Sequence, residues 1–244
     1  MRRIKPVTPV AWAAALGVAV HALPALAQDR GLTATLEAAS DERRRGLSWS
    51  EGDPVLRGTL SVPVTSGLSL DGAATTLWGS TRHGGADAVI DIGPSWSRQI
   101  GGWRLTARGR YHLFPGASDQ GYGEVGAQAG FLIGPASIDI ATHYAPRQSA
   151  IGGDNLYVSA AAAVAVPGTP FTVSGHVGRS SGSVRDPLVA ARLRPDGTYW
   201  DHGVALDWYR GQWFAGIRYA GSSIDGPART HAGDRLIARV GLSL

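Results

Sequence analysis

Histidines, carboxylates, serines and arginines are the side chains of this sequence that could carry out chemistry. Beyond residue 27 the chain contains six histidines, which are His83, His112, His143, His176, His202 and His231. No pair has the close spacing of a metal-binding motif, although ligands can also converge from separate strands. Solvated or hydrogen-bonded histidine is therefore the expected state, with a surface metal site as the alternative. The sequence has no cysteine, which excludes disulfides and thiolate metal sites.

Covalent catalysis requires a nucleophile that is oriented by a base and by a third group. Serines, histidines and aspartates are present, but their spacing forces no such set together. The sequence contains no G-x-S-x-G motif, and its only lysine is Lys5, which lies outside any glycine-rich loop of the P-loop type. We therefore expect no catalytic residues.

One glycine-rich stretch, Gly121 to Gly126, matches the G-x-G-x-x-G pattern of dinucleotide-binding proteins. That motif binds a pyrophosphate only where it follows a strand and opens a helix. Here it begins a predicted strand that continues to Ile133. We interpret these glycines as small residues of a sheet and expect no cofactor.

The start of the chain has the layout of a secretory signal peptide. Residues 2–5 contain three basic side chains, residues 10–20 are apolar and uncharged, and residues 25–27 read Ala-Leu-Ala. A transmembrane anchor is the alternative, but it needs about 20 apolar residues, and His21 and Pro24 interrupt this run. We predict cleavage after residue 27 and a single domain over residues 28–244.

The charge of the mature chain is close to balanced. Of 23 basic residues, three belong to the leader, so 20 arginines face 19 acidic residues and the net charge is +1. The only basic cluster is Arg43 to Arg45. No nucleic-acid partner is expected from such a distribution.

The hydrophobic pattern alternates with a period of two residues almost throughout the mature chain, which is typical of β-strands. Trp103 and Leu105 lie on one face of such a strand and Arg104 on the other. A half-buried strand of a soluble protein would alternate in the same way. The last segment keeps this alternation up to Leu244, and outer-membrane barrels close on a C-terminal strand of this kind.

No apolar run after the leader approaches the length of a spanning helix, and only helices and closed barrels satisfy their backbones in lipid. A periplasmic or secreted β-protein is the alternative. Twelve segments have close to the length of a tilted membrane strand: 31–40, 55–64, 68–79, 86–97, 102–113, 122–133, 136–145, 155–166, 170–179, 199–209, 212–220 and 234–244. We predict an all-β fold, an up-and-down transmembrane antiparallel β-barrel of about 12 strands with both termini in the periplasm.

The links between these segments alternate in length. The short ones are 65–67, 98–101, 134–135, 167–169 and 210–211, and the longer polar ones are 41–54, 80–85, 114–121, 146–154, 180–198 and 221–233. An up-and-down barrel with long external loops and short periplasmic turns requires this order. A sandwich with Greek-key crossings does not.

Aromatic residues cluster at both ends of the predicted strands. If the apolar face of the last strand contacts lipid, the outward residues beside the short turns are Trp96, Trp103, Phe171, Trp208 and Trp213. Those near the long loops are Trp78, Tyr111, Tyr144, Trp200 and Tyr219. We predict that they form the two girdles of a membrane barrel. A soluble aromatic core would explain burial but not this clustering.

The inward positions carry charges of both signs. The predicted basic set is Arg57, Arg104, Arg108, Arg110, Arg218, Arg235 and Arg239, and the acidic set is Glu37, Asp71, Asp91, Glu124, Asp139, Asp201 and Asp207. Such charges could line a water-filled pore and filter solutes, or pair and fill the interior as a plug. Twelve strands lie between filled and open barrels, so both alternatives remain. The near-balanced charge argues against strong ion selectivity.

A family resemblance adds to this prediction. The stretch Ser-Asp-Glu-Arg-Arg-Arg-Gly-Leu-Ser at 40–48, with Gly-Asp-Pro at 52–54 and Gly58, resembles the opening of the TorF-type porins, and Tyr-Gly-Glu at 122–124 resembles a middle strand of that family. Glu42 and Arg44 stand where that family usually has aromatic residues. The resemblance implies an outer-membrane channel of unassigned substrate, without catalytic residues.

The expected partners are therefore outer-membrane lipid, the barrel-assembly machinery and small hydrophilic solutes, and no cofactor is expected. Two alternatives to a channel remain. One is an outer-membrane barrel enzyme of the phospholipase kind, and the other is a closed structural or adhesive barrel.

Overall fold

Fourteen β-strands account for most of residues 31–244, the part of the chain that our computed structural model describes. They are β1 (Thr33–Ala39), β2 (Arg43–Arg44), β3 (Leu47–Ser48), β4 (Val55–Thr65), β5 (Leu68–Ser80), β6 (Ala86–Ile100), β7 (Trp103–Leu113), β8 (Tyr122–Ile133), β9 (Ala136–Gln148), β10 (Gly153–Ala165), β11 (Phe171–Ser181), β12 (Tyr199–Arg210), β13 (Trp213–Ser222) and β14 (Arg235–Ser243). The predicted signal peptide, residues 1–27, lies outside the described residues.

Twelve of these strands form one closed antiparallel barrel, in which each strand pairs with its neighbours in sequence. The first and last strands close it, with Thr35 opposite Ser243 and Ala39 opposite Arg239. Two hydrogen bonds between the backbones of Ala34 and Leu244, of 3.1 and 2.8 Å, complete the seam. The predicted twelve-stranded up-and-down barrel is confirmed, and β2 and β3 form a separate two-stranded sheet.

Several strands run further than the hydrophobic pattern indicates. β6 continues to Ile100, so the link predicted over 98–101 reduces to a tight turn at Gly101 and Gly102. The polar residue Gln99 still pairs with Arg104 across this hairpin because backbone hydrogen bonding does not depend on the side chain. Gly101 has a φ of +58°, a conformation that glycine adopts at little cost in such turns.

The barrel wall has two chemically different faces. On β12, Trp200 and Val204 are 52% and 56% exposed on the outer surface. Asp201, which alternates with them, is fully buried inside. Burial thus follows the two-residue period from which the strands are predicted. Among the described residues, no helix is both long and apolar enough to cross a membrane.

The long loops meet at one end of the barrel and pack a small apolar core there. This loop cluster contains Trp49, Phe114, Leu193 and Ile224, all almost fully buried. A short helix, Pro187–Ala190, supports it from the loop after β11. The sequence predicts polar links here and does not reveal the cluster, because its apolar residues are single positions in irregular segments with no periodic pattern.

His83 is buried in this loop cluster as a neutral ring. It stacks on Phe114 with ring centroids 4.9 Å apart and lies 4.4 Å from Trp49. Burial, and then the neighbouring guanidinium groups of Arg192 and Arg82, lower the pKa of His83 to about 2. The folded state therefore takes up this proton far less readily than the unfolded chain.

This depressed pKa predicts that acid weakens the folded protein through His83. The contribution of His83 to the free energy of unfolding is fully present above pH 6.5, near the pKa of histidine in the unfolded chain. This contribution decreases with each pH unit below that value. Between pH 7 and pH 4.5 we expect a loss of about 2–3 kcal/mol in wild type that is absent in His83→Phe. Thermal unfolding of both proteins in detergent, followed by tryptophan fluorescence, measures the difference. Parallel pH profiles would contradict the prediction.

Candidate functional site

Residues 41–54, which we call the ribbon, leave the end of β1 and fold inward across the barrel lumen. β2 and β3 form its two arms, with Arg43 opposite Ser48. At its base the Asp41 carboxylate accepts hydrogen bonds from Ser48 Oγ at 2.5 Å and Ser50 Oγ at 3.0 Å, and from Arg43 Nε at 3.1 Å. The carboxylate thereby organises the loop from within.

Two arginines of the ribbon attach its tip to the barrel wall. Arg44 Nη1 lies 2.9 Å from an Asp91 carboxylate oxygen on β6. Arg45 Nη2 lies 2.6 Å from a Glu124 carboxylate oxygen on β8. The carbonyl oxygen of Arg45 also accepts a 2.9 Å hydrogen bond from the Tyr199 hydroxyl at the start of β12. The ribbon therefore spans from β1 and β4 to strands on other sides of the lumen.

Gly46, at the turn of the ribbon, lies against the wall. Its φ is +77°, and a Cβ placed there would come within 2.7 Å of Asp201 Cβ. Gly197 has a similar φ of +69°, but no atom lies close to the place that its Cβ would take.

These two glycines give a matched test of ribbon docking. Both Gly46→Val and Gly197→Val place a branched residue at positive φ, but only the first also collides with β12. We expect Gly46→Val to cost about 1–3 kcal/mol more than Gly197→Val, as overpacking does in a well-packed site. Thermal unfolding of the refolded proteins measures both costs, and equal values would argue against a docked ribbon.

A chain of buried polar groups lies beneath the ribbon tip. His112 Nδ1 lies 2.6 Å from Asp91 Oδ1, and His112 Nε2 lies 3.7 Å from Glu124 Oε1. His143 lies 3.5 Å from the same Glu124 oxygen. Glu124 thus faces one arginine and two histidines, which makes it the centre of the contacts that hold the ribbon.

The other predicted pore-lining residues fall into contacting groups. Arg239 reaches Asp207 at 2.8 Å and Glu37 at 3.2 Å, and Arg57 reaches Glu42 of the ribbon at 3.3 Å. Further contacts join Asp71 with Ser61, Asp139 with Gln128, Arg108 with Gln128, Asp201 with Tyr157 and His176, and Arg235 with the carbonyl of Gly52.

Some inward charges of each sign have no ion-pair partner among the charged residues of the described barrel wall. Within residues 31–244, Arg104, Arg108 and Arg110 on β7 and Arg218 on β13 form no ion pair. The acids Glu37, Asp91, Glu124 and Asp207 have an arginine partner. In the described part of the chain Asp71, Asp139 and Asp201 have none and contact serine, glutamine, tyrosine or histidine instead. The near-equal totals of the sequence therefore conceal an inner wall on β7 with unpaired positive charge.

Two of the cavities that lie in the lumen beside the ribbon share arginine side chains. One of about 210 Å³ is bounded by the ribbon residues Arg44, Arg45 and Trp49. The other, of about 180 Å³, is lined by Arg108 and by the threonines of β1 and β4. Arg57 and Arg110 line both cavities. A solute that passes from one to the other therefore meets these two guanidinium groups.

The predicted girdle residues lie on the outer surface at the two strand ends. Trp78, Trp96, Trp103, Tyr111, Tyr144, Phe171, Trp200, Trp213 and Tyr219 are exposed, and Trp208 is half-buried. Two of them also form hydrogen bonds with residues of the long links. Trp78 Nε1 donates to the carbonyl oxygen of Pro54, and the Tyr144 hydroxyl donates to the Asp154 carboxylate.

The described part of the chain contains no cluster of three or more histidine and carboxylate side chains that could hold a metal ion. Gly121 precedes β8, and the remaining residues of the glycine-rich motif lie within that strand, so no helix follows the motif.

The sequence pattern does not predict that the ribbon crosses the lumen. The signal that points to the ribbon is its basic cluster, Arg43 to Arg45. Two of these three arginines pair with buried carboxylates of the barrel wall.

Three comparisons relate the chain to known proteins. A family model described as "Bacterial protein of unknown function (Gcw_chp)" matches residues 27–240. No curated protein sequence matches the chain. The TorF-type resemblance stays a prediction, because the matching family model has another description.

Solved porins have a similar fold. The NanC porin aligns with a TM-score of 0.59 at 10% identity, over 87% of this chain and 98% of its own. The KdgM porin aligns with a TM-score of 0.55 at 8% identity, over 86% and 97% of the two chains. A second KdgM structure, in complex with disordered oligogalacturonate, gives a TM-score of 0.54. At these identities the similarity is one of fold.

Proposed function

We propose that this chain, which belongs to the Gcw_chp family of bacterial proteins, is a narrow outer-membrane channel for passive diffusion of small hydrophilic solutes. The observation that carries the proposal is the contrast between the two faces of the barrel wall. Its outer face is apolar between two zones of aromatic residues, and its inner face is charged. A barrel in lipid around an aqueous lumen needs this arrangement.

The proposed location has three supports. The leader predicts export, the outer face fits a bilayer, and the proteins of similar fold are named porins. In this orientation the short turns face the periplasm and the loop cluster faces outward. Insertion would require the barrel-assembly machinery, and outer-membrane lipid would contact the girdle residues.

The proposed mechanism is filtering by size and charge. The ribbon narrows the lumen at the long-loop end, and a solute must pass its arginines and the unpaired arginines of β7. Rings of fixed charge and narrow sections are the usual devices by which pores select. No catalytic step or cofactor is part of this mechanism.

Planar-bilayer recordings on the refolded full barrel test the channel. We expect discrete single-channel events with a preference for anions. Folding is checked beforehand by heat-modifiable migration on a denaturing gel. Folded protein without events would contradict the proposal and favour a closed structural or adhesive barrel, and lipase activity in detergent would favour an enzyme.

The arginines of β7 are expected to set the ion preference. Arg108→Ala and Arg110→Ala each remove an unpaired positive charge from the inner wall, so we expect each to lower the anion preference in a salt gradient. Reversal potentials in planar bilayers measure this change, with Arg147→Ala as a control for a charge in the exposed loop-side segment of β9. Unchanged reversal potentials in both lumen variants would contradict a role of the β7 arginines in ion preference.

A further inference from the structure

The cavity beneath the ribbon is a chamber with four arginines on its walls, beside the apolar side chains of Leu47, Trp49 and Leu193. Arg44, Arg45, Arg57 and Arg110 all line it, and Glu124 is the only carboxylate among its lining residues. A chamber with this composition and a volume of about 210 Å³ suits an anion with room for polar groups.

Most of the charged side chains around this chamber already form ion pairs with each other. The side chains without such a partner are the ones that can bind a solute. Glu124 is occupied by Arg45, and Glu42 accepts from both Arg44 and Arg57. Arg110 forms no ion pair with any carboxylate of the described residues. Its guanidinium therefore has free donors, in the planar arrangement that binds a carboxylate through two hydrogen bonds.

Four buried side-chain atoms on residues that line the chamber lack hydrogen-bond partners among residues 31–244. Two are the ring nitrogens of His112 and His143 that face Glu124. Nη2 of Arg44 is buried and makes no hydrogen bond. The side-chain oxygen of Asn155, a residue only 2% exposed, is likewise unpartnered. Buried polar atoms usually find a partner, and an unsatisfied one costs free energy. A donor and an acceptor on residues that line one chamber fit a ligand with both an anionic group and hydroxyl groups.

We propose that this chamber is a binding site for small polyhydroxylated carboxylates of about the size of a sugar acid. Arg110 and Arg44 Nη2 would bind the carboxylate, and Asn155 would accept from a hydroxyl group. The volume equals that of about seven waters in the liquid, which is the space that such a solute needs.

The site rests on the proposed function, because it lies on the route that a solute would take through the lumen. Arg110 also lines the next cavity, together with Arg108. The two arginines are two residues apart on one strand and so project to the same side. A bound carboxylate can pass from one guanidinium to the next, and weak sequential sites of this kind allow a solute to leave as well as to enter.

Gluconate and sorbitol test the site, because they differ only in a carboxylate that replaces a hydroxymethyl group. Binding of each to the refolded full-length barrel in detergent is measured by calorimetry, and block of ionic current in bilayers by the same two compounds. We expect gluconate to bind and sorbitol not to bind at matched concentration. We expect Arg110→Gln to weaken gluconate binding roughly tenfold, the typical effect of losing a charged hydrogen-bond partner.

Arg104→Gln is the matched control. It is on the same strand and the same inner face but lies outside the chamber, and it should leave binding unchanged. Asn155→Ala should weaken gluconate binding but not binding of acetate, which has no hydroxyl group. Heat-modifiable migration confirms that each variant is folded.

The outcomes separate the site from the channel. Gluconate binding that Arg110→Gln weakens and Arg104→Gln does not would support the site, even if the protein did not conduct. A conducting channel that binds gluconate and sorbitol equally, or binds neither, would overturn the site and leave the channel standing. If Arg110→Gln and Arg104→Gln weakened gluconate binding equally, the site would also be overturned. The effect would then depend on the total positive charge of the lumen and not on contact with Arg110.

Discussion

Replacing residues 43–48 of the ribbon with a short glycine linker is expected to raise the single-channel conductance several-fold. This segment carries both arms of the ribbon and both arginines that attach to the wall. Its removal opens the charged section of the lumen that the ribbon crosses, and charged or constricted sections are where a pore filters and gates.

The same replacement should change the sign of the ion preference. Asp91 and Glu124 lose their arginine partners from the ribbon, and two carboxylates then face the lumen without them. Reversal potentials should therefore move toward cations while the conductance rises. If the ribbon acted only as an obstruction and its ion pairs did not affect selectivity, the replacement would raise conductance with little change in reversal potential.

Removal of a segment of equal length from another long loop is the control for the general effect of shortening a loop. Residues Gly226–His231 form a turn in the last long loop. None of them is fully buried, and only Ala228 packs against the loop cluster. Their removal should leave conductance close to that of wild type. Unchanged conductance in the ribbon variant, or an equal rise in both variants, would contradict the role of the ribbon as a constriction.

Glu124→Gln is expected to destabilise the folded barrel by about 3–5 kcal/mol, the cost of leaving a buried charge without its partner. The Glu124 side chain is only 3% exposed, and it faces Arg45 at 2.6 Å. His112 and His143 lie at 3.7 and 3.5 Å from it. A neutral amide cannot balance the guanidinium in this enclosed position, so the ribbon tip should also loosen.

Glu37→Gln provides the comparison. Glu37 also pairs with an arginine, Arg239, at 3.2 Å, but its side chain is 20% exposed and Arg239 keeps Asp207 at 2.8 Å. We expect its loss to cost less, about 1 kcal/mol, because Arg239 keeps a second carboxylate and the partly exposed position admits water. Urea unfolding of the refolded proteins in detergent measures both variants.

The double variant Glu124→Gln with Arg45→Met completes the test. Removing both partners of a buried pair is often nearly neutral, so the second substitution should restore much of the lost stability. Additive costs in the double variant would show that Glu124 stabilises the barrel through other contacts. Equal costs for Glu124→Gln and Glu37→Gln would contradict the burial argument.

The barrel could be predicted from the sequence because its signal is local. Each strand has a two-residue period that depends only on which residues alternate, and all twelve predicted segments coincide with barrel strands. The errors concern strand ends such as Ile100, where backbone pairing continues after the hydrophobic pattern has stopped. The alternating loop lengths determined the topology, because short hairpins can join only neighbouring antiparallel strands.

The ribbon, the loop cluster and the pairing of the charges were decided by the tertiary structure alone. Arg44 and Arg45 meet Asp91 and Glu124 across 47 and 79 residues of sequence, so no local pattern connects them. Composition predicts a near-neutral interior, but which arginine finds a carboxylate depends on where the ribbon folds. Local alternation of residues thus determines the barrel wall of this protein. Contacts between residues distant in sequence determine which charged side chains of the lumen stay without an ion-pair partner and can bind a solute.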